Sequence, residues 1–100
     1  MIVVVFRSRL SADPAALAEY AEWAERMSAI ARTMPGYVSH KGFAAADGER
    51  VTIVEFEDEE GMRAWGRHPD HMVAKSKGRS TFYTEYRIQV CDVRRQSVFP

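Results

Sequence analysis

The sequence is short of the residues and segments that several large classes of protein require. It contains one cysteine, Cys91, which permits no internal disulfide and cannot form a thiolate metal cluster, as is typical of a reducing compartment. Its longest apolar run, residues 1–6, is far below the roughly 20 residues that span a bilayer, and no basic segment precedes it as in a signal peptide. We therefore expect a cytoplasmic protein.

The chain also lacks an excess of charge of one sign. Its 14 Lys and Arg residues cancel its 14 Asp and Glu residues, which argues against generic nucleic-acid binding. The balance hides an asymmetry, because residues 1–62 carry 6 basic and 11 acidic side chains and residues 63–95 carry 8 basic and 3 acidic ones. The basic segment could pair two subunits, orient the halves of the fold or attract an anionic small molecule, although solvated surface charge is the simplest interpretation.

The hydrophobic content of the sequence is enough to form one core. The chain has 100 residues, of which 46% are hydrophobic and 11% aromatic. No repeat, linker or low-complexity stretch divides it. We therefore expect a single domain over residues 1–100.

Hydrophobic periodicity predicts four strands and three helices. Apolar residues at every second position mark the strands, and apolar residues every three or four positions mark the helices. The predicted elements are a strand over residues 2–9, a helix over 14–34, strands over 37–45 and 50–57, a short helix after Asp58, a further helix capped by Asp70 and ending near Gly78, and a strand over 81–95. His68-Pro69 is expected to separate the two short helices.

The order strand, helix, strand, strand, helix, strand is typical of a ferredoxin-like α+β sandwich (βαββαβ), in which helices cover one face of an antiparallel sheet. The first strand is apolar on both faces, with Ile2, Val4 and Phe6 on one and Val3 and Val5 on the other. Because the helices can cover only one face, we expect a second copy of the chain to cover the other, as a homodimer formed sheet against sheet.

Three short segments give the chain a likeness to a known family. They are Met34-Pro35-Gly36-Tyr37, the segment from Trp65 to His71, and Tyr83-Thr84-Glu85-Tyr86-Arg87-Ile88. With the Ile-Val-rich first strand, they make the chain resemble the antibiotic biosynthesis monooxygenase (ABM) family over nearly its whole length. The resemblance implies a dimeric α+β barrel with a pocket between the sheet and the helices. It also implies one of two activities: oxygenation of phenolic or quinol-like polyketides without metal or flavin, or degradation of bound haem.

The likeness is uneven when it is followed residue by residue. Trp65 matches the tryptophan that recurs in both branches of the family. The family commonly has an asparagine, but this chain contains none, and Ser8 or Arg7 stands where the haem branch carries it. Lys75 stands about where the resemblance places the axial histidine of the haem branch, one turn after His71. The resemblance therefore favours the oxygenase branch over haem degradation.

A tryptophan and two histidines carry the predicted chemistry. Trp65 can stack on an aromatic ligand, although anchoring a short helix is an equal alternative. A neutral imidazole is the natural base for a phenol, and we predict His71 for this role, because His68 precedes Pro69 and is more typical of a helix stop. His68 stays a candidate for binding substrate. His68, Asp70 and His71 form too short a cluster for a metal site, so no metal is expected.

Further candidates lie on the strands. Tyr83 and Tyr86 are predicted on opposite faces of the last strand, so at most one of them would reach the pocket and the other would meet the partner or solvent. Arg87, expected on the same face as Tyr83, or Arg7 would stabilise a phenolate or enolate, although most strand arginines are solvated. His40 is a candidate for the cavity wall, although an exposed or hydrogen-bonded histidine is commoner on a strand.

These residues support one leading hypothesis about function. We expect a dimeric monooxygenase of the ABM type that acts on a small aromatic metabolite and molecular oxygen without a cofactor. In it His71 removes a phenolic or benzylic proton while Trp65 holds the ring. The absence of a Gly-rich nucleotide loop agrees with this hypothesis. Two alternatives stay open: a non-catalytic ligand-binding or sensing dimer, since a fold does not determine function, and a haem-binding protein.

Overall fold

A computed structural model describes all 100 residues of the chain. The elements are, in order, β1 (Ile2–Leu10), α1 (Pro14–Ala31), β2 (Tyr37–Ala44), β3 (Arg50–Phe56), α2 (Glu59–Arg67), α3 (Pro69–Lys77), a π-helical turn (Gly78–Phe82) and β4 (Tyr83–Asp92). The strands form one antiparallel sheet in the order β2-β3-β1-β4. The predicted ferredoxin-like α+β fold is confirmed, with α2 and α3 together in the place of its second helix.

The core lies between one face of the sheet and the helices. Its most buried cluster comes from the two central strands and consists of Ile2, Val4, Val54 and Phe56. The register brings these side chains together, because Ile2 pairs with Phe56 and Val4 pairs with Val54. Trp65 of α2 packs against the cluster, which holds the short helix onto the sheet.

The other face of the sheet, here called the open face, carries no helix. Val3 and Val5 of β1 lie on it, and Ile53 of β3 pairs with Val5. Phe43 of β2 lies on the same face and is 48% exposed. The second face therefore carries the apolar residues that the sequence predicts, together with charged side chains from all four strands.

Helix α1 begins as predicted and ends early. Asp13 caps it by accepting a backbone hydrogen bond at 3.2 Å. The helix ends at Ala31, so the predicted end at Met34 is wrong. Pro35 disfavours helical conformation at the residue before it, and the chain reverses direction at Gly36, whose φ of 77° suits a glycine.

The two short helices follow each other directly. Asp58 caps α2, since its Oδ1 accepts the backbone N–H of Gly61 at 2.9 Å. His68 caps α3, since its Nδ1 accepts the backbone N–H of Asp70 at 3.1 Å. The prediction that Asp70 caps α3 is therefore wrong: Pro69 takes the first helical position and Asp70 follows it inside the first turn, where a carboxylate suits the positive helix end. None of the helices combines the length and the apolar character that crossing a bilayer requires.

The last strand is shorter than predicted at both ends. The π-helical turn Gly78–Phe82 occupies the start of the predicted strand, and β4 ends at Asp92. Gly78 leaves room for the ring of Tyr83, because a Cβ at position 78 would lie 2.9 Å from that ring. The wide turn therefore delivers Tyr83 close to the end of α3.

Candidate active site

A cavity of about 670 Å³ lies between the helix-facing side of the sheet and the helices. Its floor comes from the strands and its walls come from α1, α2 and α3. The volume is in the range of small-molecule sites, and most of the lining is apolar or aromatic. The cavity is thus suited to a ligand with an aromatic body.

Trp65 of α2 forms part of the cavity wall. Its ring packs on Phe56 of the core with centroids 5.7 Å apart and on His71 of α3 with centroids 4.4 Å apart. The indole Nε1–H is shielded from solvent and has no hydrogen-bond partner. An unpaired buried donor is costly in a folded protein, and this one lies in the wall of the cavity.

His71 also lines the cavity, and its surroundings set its protonation. Burial is the main cause that lowers the pKa of His71 below its ordinary 6.5, and the charge of Lys75 acts in the same direction. The ring Nδ1 lies 2.9 Å from the carbonyl oxygen of Trp65, so in the neutral ring Nδ1–H donates to that carbonyl. The other nitrogen, Nε2, is then unprotonated and has no hydrogen-bond partner in the chain.

Both candidate tyrosines line the cavity, so the prediction that they lie on opposite faces is wrong. A register shift in the pairing of β1 with β4 places Tyr83 opposite Leu10 and Tyr86 opposite Ser8. Such a bulge adds one residue to β4, and residues three apart then share a face. Burial, with a contribution from Tyr20, raises the pKa of Tyr83 far above its ordinary value, so its hydroxyl stays protonated.

The arginines predicted to stabilise an anion lie away from the cavity. Arg87 pairs with Arg7 across β1 and β4 on the open face, so it does not share a face with Tyr83 as predicted. Arg7 is held there by an ion pair of 3.0 Å with Glu49. His68, predicted to bind substrate, is used in the cap of α3 and is not in the lining.

Other cations, which the sequence analysis did not propose for stabilising an anion, line the cavity instead. They are Arg63, Arg67, Lys75 and Arg79, here called the cationic rim, and no Asp or Glu lines the cavity beside them. Only Arg63 has a carboxylate partner, Glu59, at 3.0 Å. Lys75 donates to a backbone carbonyl and Arg79 donates to the hydroxyl of Tyr86 at 2.9 Å. The sequence signal that could have indicated these residues was the basic surplus of residues 63–95, because all four cations of the rim belong to that segment.

The cluster of His68, Asp70 and His71 does not form a set of metal ligands. One ring nitrogen of each histidine is engaged with the backbone. No group of three or more His, Cys, Asp or Glu side chains in the chain is placed to hold a metal ion.

The cavity offers a neutral base, aromatic surfaces and cations. His40, the remaining candidate, lines the cavity from β2 and is hydrogen-bonded to Tyr37 and Ser28.

The fold and the cavity together define the protein as a ferredoxin-like α+β domain with a cavity of small-molecule size between its sheet and its helices. The family model for antibiotic biosynthesis monooxygenase (ABM) matches residues 1–77. The uncharacterized protein YqjZ of Bacillus subtilis (strain 168) is 36% identical over 80 residues, which are 80% of this chain and 70% of that protein. The chain therefore belongs to the antibiotic biosynthesis monooxygenase family.

Solved structures share the fold over nearly the whole chain. Rv0793 from Mycobacterium tuberculosis is 15% identical, with a TM-score of 0.80 over 97% of this chain and 98% of that one. SnoaB, a cofactor-independent oxygenase from Streptomyces nogalater, is 20% identical, with a TM-score of 0.76 over 95% of this chain and 94% of that one. At these identities the likeness concerns the fold alone.

Proposed function

We propose that this protein is a cofactor-independent monooxygenase that acts on a small phenolic or quinol-type aromatic compound. The observation that carries the proposal is the state of His71, which lines the cavity, is neutral near pH 7 and has its Nδ1–H engaged by the Trp65 carbonyl. Its Nε2 is then a free base beside an aromatic wall. Family membership supports this class of reaction, and the structural relative SnoaB is itself a cofactor-independent oxygenase.

The proposed reaction uses the substrate as the reductant. With anthrone as the example, His71 Nε2 takes a benzylic proton and leaves an electron-rich anion. The anion gives one electron to dioxygen, and the two radicals then combine to form a C–O bond. The peroxide oxygen takes the proton back from the His71 imidazolium, which gives a hydroperoxide. Its O–O bond then breaks while the second hydrogen leaves the same carbon, so that anthrone and dioxygen yield anthraquinone and water. Trp65 would hold the ring during both steps.

The cationic rim supports a reaction that passes through an anion. Arg67, Lys75 and Arg79 have no carboxylate partner, so their charge is available to a ligand. Positive charge beside this mostly apolar lining lowers the energy of a phenolate or enolate, and because the rim side chains are exposed, water screens part of the effect. We assign to these residues the stabilising role that the sequence suggested for Arg7 and Arg87.

We also propose that two copies pair through their open faces. Val3, Val5 and Ile53 form an apolar surface that no helix of the chain covers, and Phe43 extends it to the edge of the sheet. A specific interface of ordinary size buries roughly 800 Å² per partner, which one sheet face can provide. A cytoplasmic location stays a prediction.

The decisive experiment is oxygen uptake by the purified protein with anthrone, against a blank without protein. We expect uptake by the wild type and a loss of about 100-fold or more in kcat for His71→Gln, because general-base catalysis typically contributes that much. His68→Asn is the matched control, since an asparagine oxygen also caps a helix and His68 lies outside the cavity. Unchanged kcat in His71→Gln would remove His71 from the mechanism.

The same preparation separates the alternative functions. Saturable binding of anthraquinone without any oxygen uptake would indicate a ligand-binding or sensing protein. A Soret band on addition of haemin, lost in His71→Gln, would indicate haem binding. Either result in place of oxygen uptake would contradict the proposed oxygenase.

A further inference from the structure

A chain of three hydrogen-bonding side chains lies beside the cavity on elements that do not carry Trp65 and His71. Tyr37 and His40 come from β2, and Ser28 comes from α1. The hydroxyl of Tyr37 is 2.6 Å from His40 Nδ1, and His40 Nε2 is 3.0 Å from Ser28 Oγ. Ser28 and His40 line the cavity, whereas Tyr37 packs against Phe56 in the core.

The imidazole in the middle of this chain carries one proton. Burial, followed by the charge of Arg32, lowers the pKa of His40 below its ordinary 6.5, so the ring is neutral near pH 7. A neutral imidazole donates through one nitrogen and accepts through the other. Its two neighbours therefore cannot both donate to it.

The acidities of the two hydroxyl groups decide the direction of the chain. A phenol, with an ordinary pKa of about 10, is a far stronger acid and hydrogen-bond donor than a serine hydroxyl. Tyr37 therefore donates to Nδ1, and the ring proton resides on Nε2. Nε2–H then donates to Ser28 Oγ, which accepts.

This direction leaves one donor unused. A serine hydroxyl both accepts and donates. Ser28 Oγ has no hydrogen-bond partner in the protein other than His40. Its proton is therefore free, and Ser28 is one of the few neutral polar side chains in a lining that is mostly apolar or aromatic. Accepting a hydrogen bond also makes a hydroxyl a stronger donor, through the cooperativity of hydrogen-bond chains.

We propose that Ser28, oriented by His40 and Tyr37, is a binding subsite that donates a hydrogen bond to an acceptor oxygen of the ligand, either a carbonyl or a phenolate. The subsite deepens the proposed function, because it shares the cavity and the requirement for an oxygenated aromatic ligand. It does not depend on reaction with dioxygen. Ser28 is the contacting residue, and His40 and Tyr37 are positioning residues.

The test uses two unreactive probes of nearly equal shape, α-tetralone, which has one carbonyl oxygen, and tetralin, which has none. Trp23 and Trp65 line the cavity, so tryptophan fluorescence reports binding of either probe. Removal of one neutral hydrogen bond typically weakens binding about 3- to 10-fold. We expect Ser28→Ala to weaken α-tetralone binding by that factor and to leave tetralin binding unchanged.

Two further variants separate a binding role from a structural one. Ser28→Thr keeps the hydroxyl and is expected to restore most of the α-tetralone affinity. Ser39→Ala removes an exposed hydroxyl from β2 next to His40 and is expected to change neither probe. If Ser28→Ala weakens both probes equally, or changes neither, or if α-tetralone does not bind the wild type, the subsite is wrong.

The direction of the chain has its own test, which needs no ligand. The ¹⁵N chemical shifts of the His40 ring show which nitrogen carries the proton, and we expect Nε2 in the wild type. Tyr37→Phe removes the donor to Nδ1, so the two tautomers should become mixed. A proton on Nδ1 in the wild type would overturn the proposed direction.

These outcomes are independent of oxygenase activity. A Ser28-dependent preference for α-tetralone in a protein that consumes no oxygen with anthrone would keep the subsite and refute the proposed oxygenase. Oxygen uptake that depends on His71, without any effect of Ser28→Ala on α-tetralone binding, would support the proposed oxygenase and refute the subsite.

Discussion

One backbone oxygen joins the two central side chains of the candidate site. The carbonyl of Trp65 accepts the hydrogen bond from His71, and the ring of Trp65 stacks on the same imidazole. The indole therefore shields the base from water while its own main chain sets the tautomer. Because the oriented acceptor belongs to the backbone, a substitution of the Trp65 side chain can leave the tautomer of His71 intact.

We expect the acid side of the pH profile to lie below pH 6.5. The lowered pKa of His71 means that the base is unprotonated at neutral pH and is lost only when the pH falls through that lower value. The measurement is kcat/KM for anthrone between about pH 5 and pH 8, at constant ionic strength. An acid limb centred above pH 6.5 would show that a different group acts as the base.

Trp65→Phe should reduce activity far more than stability. The substitution removes apolar area, but it also removes the unpaired buried N–H, whose burial costs about 1–3 kcal/mol. We expect the free energy of unfolding in urea to change by less than about 1 kcal/mol, while oxygen uptake falls about 10-fold or more because the smaller ring of phenylalanine covers less of the ligand and carries no N–H. A loss of several kcal/mol with normal uptake would identify Trp65 as an anchor of α2 only.

At the scale of the elements, the approach of α2 to the connection between α1 and β2 sets the position of Trp65. Gly61 in the first turn of α2 lies against this connection, since a Cβ there would be 2.3 Å from the backbone oxygen of Pro35. The backbone on both sides is held by hydrogen bonds, including the cap from Asp58. The position of the helix therefore depends on the absence of a side chain at residue 61.

Gly61→Ala should destabilise the fold by about 1–3 kcal/mol, which is the usual cost of overpacking. The expected readout is the midpoint of urea unfolding. Gly66→Ala in the same helix is the matched control, because its Cβ would meet only the Nζ of Lys75 at 3.5 Å and the higher helix propensity of alanine favours the change. Equal midpoints for the two variants would contradict the close approach at residue 61.

The elements also show where local patterns stop being informative. The caps of α1 and α2 follow from Asp13 and Asp58, because an N-cap depends on a few adjacent residues. The shared face of Tyr83 and Tyr86 follows from the register shift with β1, which pairs residues about 75 positions apart in the chain. Strict alternation, the only local guide, therefore assigned Tyr83 to the wrong face.

At the scale of the whole molecule, the uneven distribution of charge along the chain becomes an uneven distribution in space. The basic surplus of residues 63–95 contributes the cationic rim of the cavity. The open face lies on the other side of the sheet, and its apolar strip is continuous from Phe43 to Val3 through the paired strands. The basic side chains of the cavity and the apolar strip thus lie on opposite sides of the sheet.

Val5→Glu should convert a dimer into a monomer. Val5 lies on the open face between Ile53 and Gln89, and a carboxylate there would remove apolar contact and lose its hydration if two such faces meet, while Arg7 on that face is already paired with Glu49. The measurement is sedimentation velocity at micromolar concentration, with Ala29→Glu on the exposed side of α1 as the control. A wild-type protein that sediments as a folded monomer would refute the proposed dimer.

The amino-acid sequence alone determined the order of strands and helices and the two apolar faces of β1, because these depend on residue type and on near neighbours. It also supplied Trp65 and His71 as candidates. Tertiary structure decided which side chains share the cavity. It excluded Arg7, Arg87 and His68 and introduced Ser28 and the cationic rim. The reason is physical, since the face that a side chain occupies depends on strand register and helix packing, which join residues far apart in the chain.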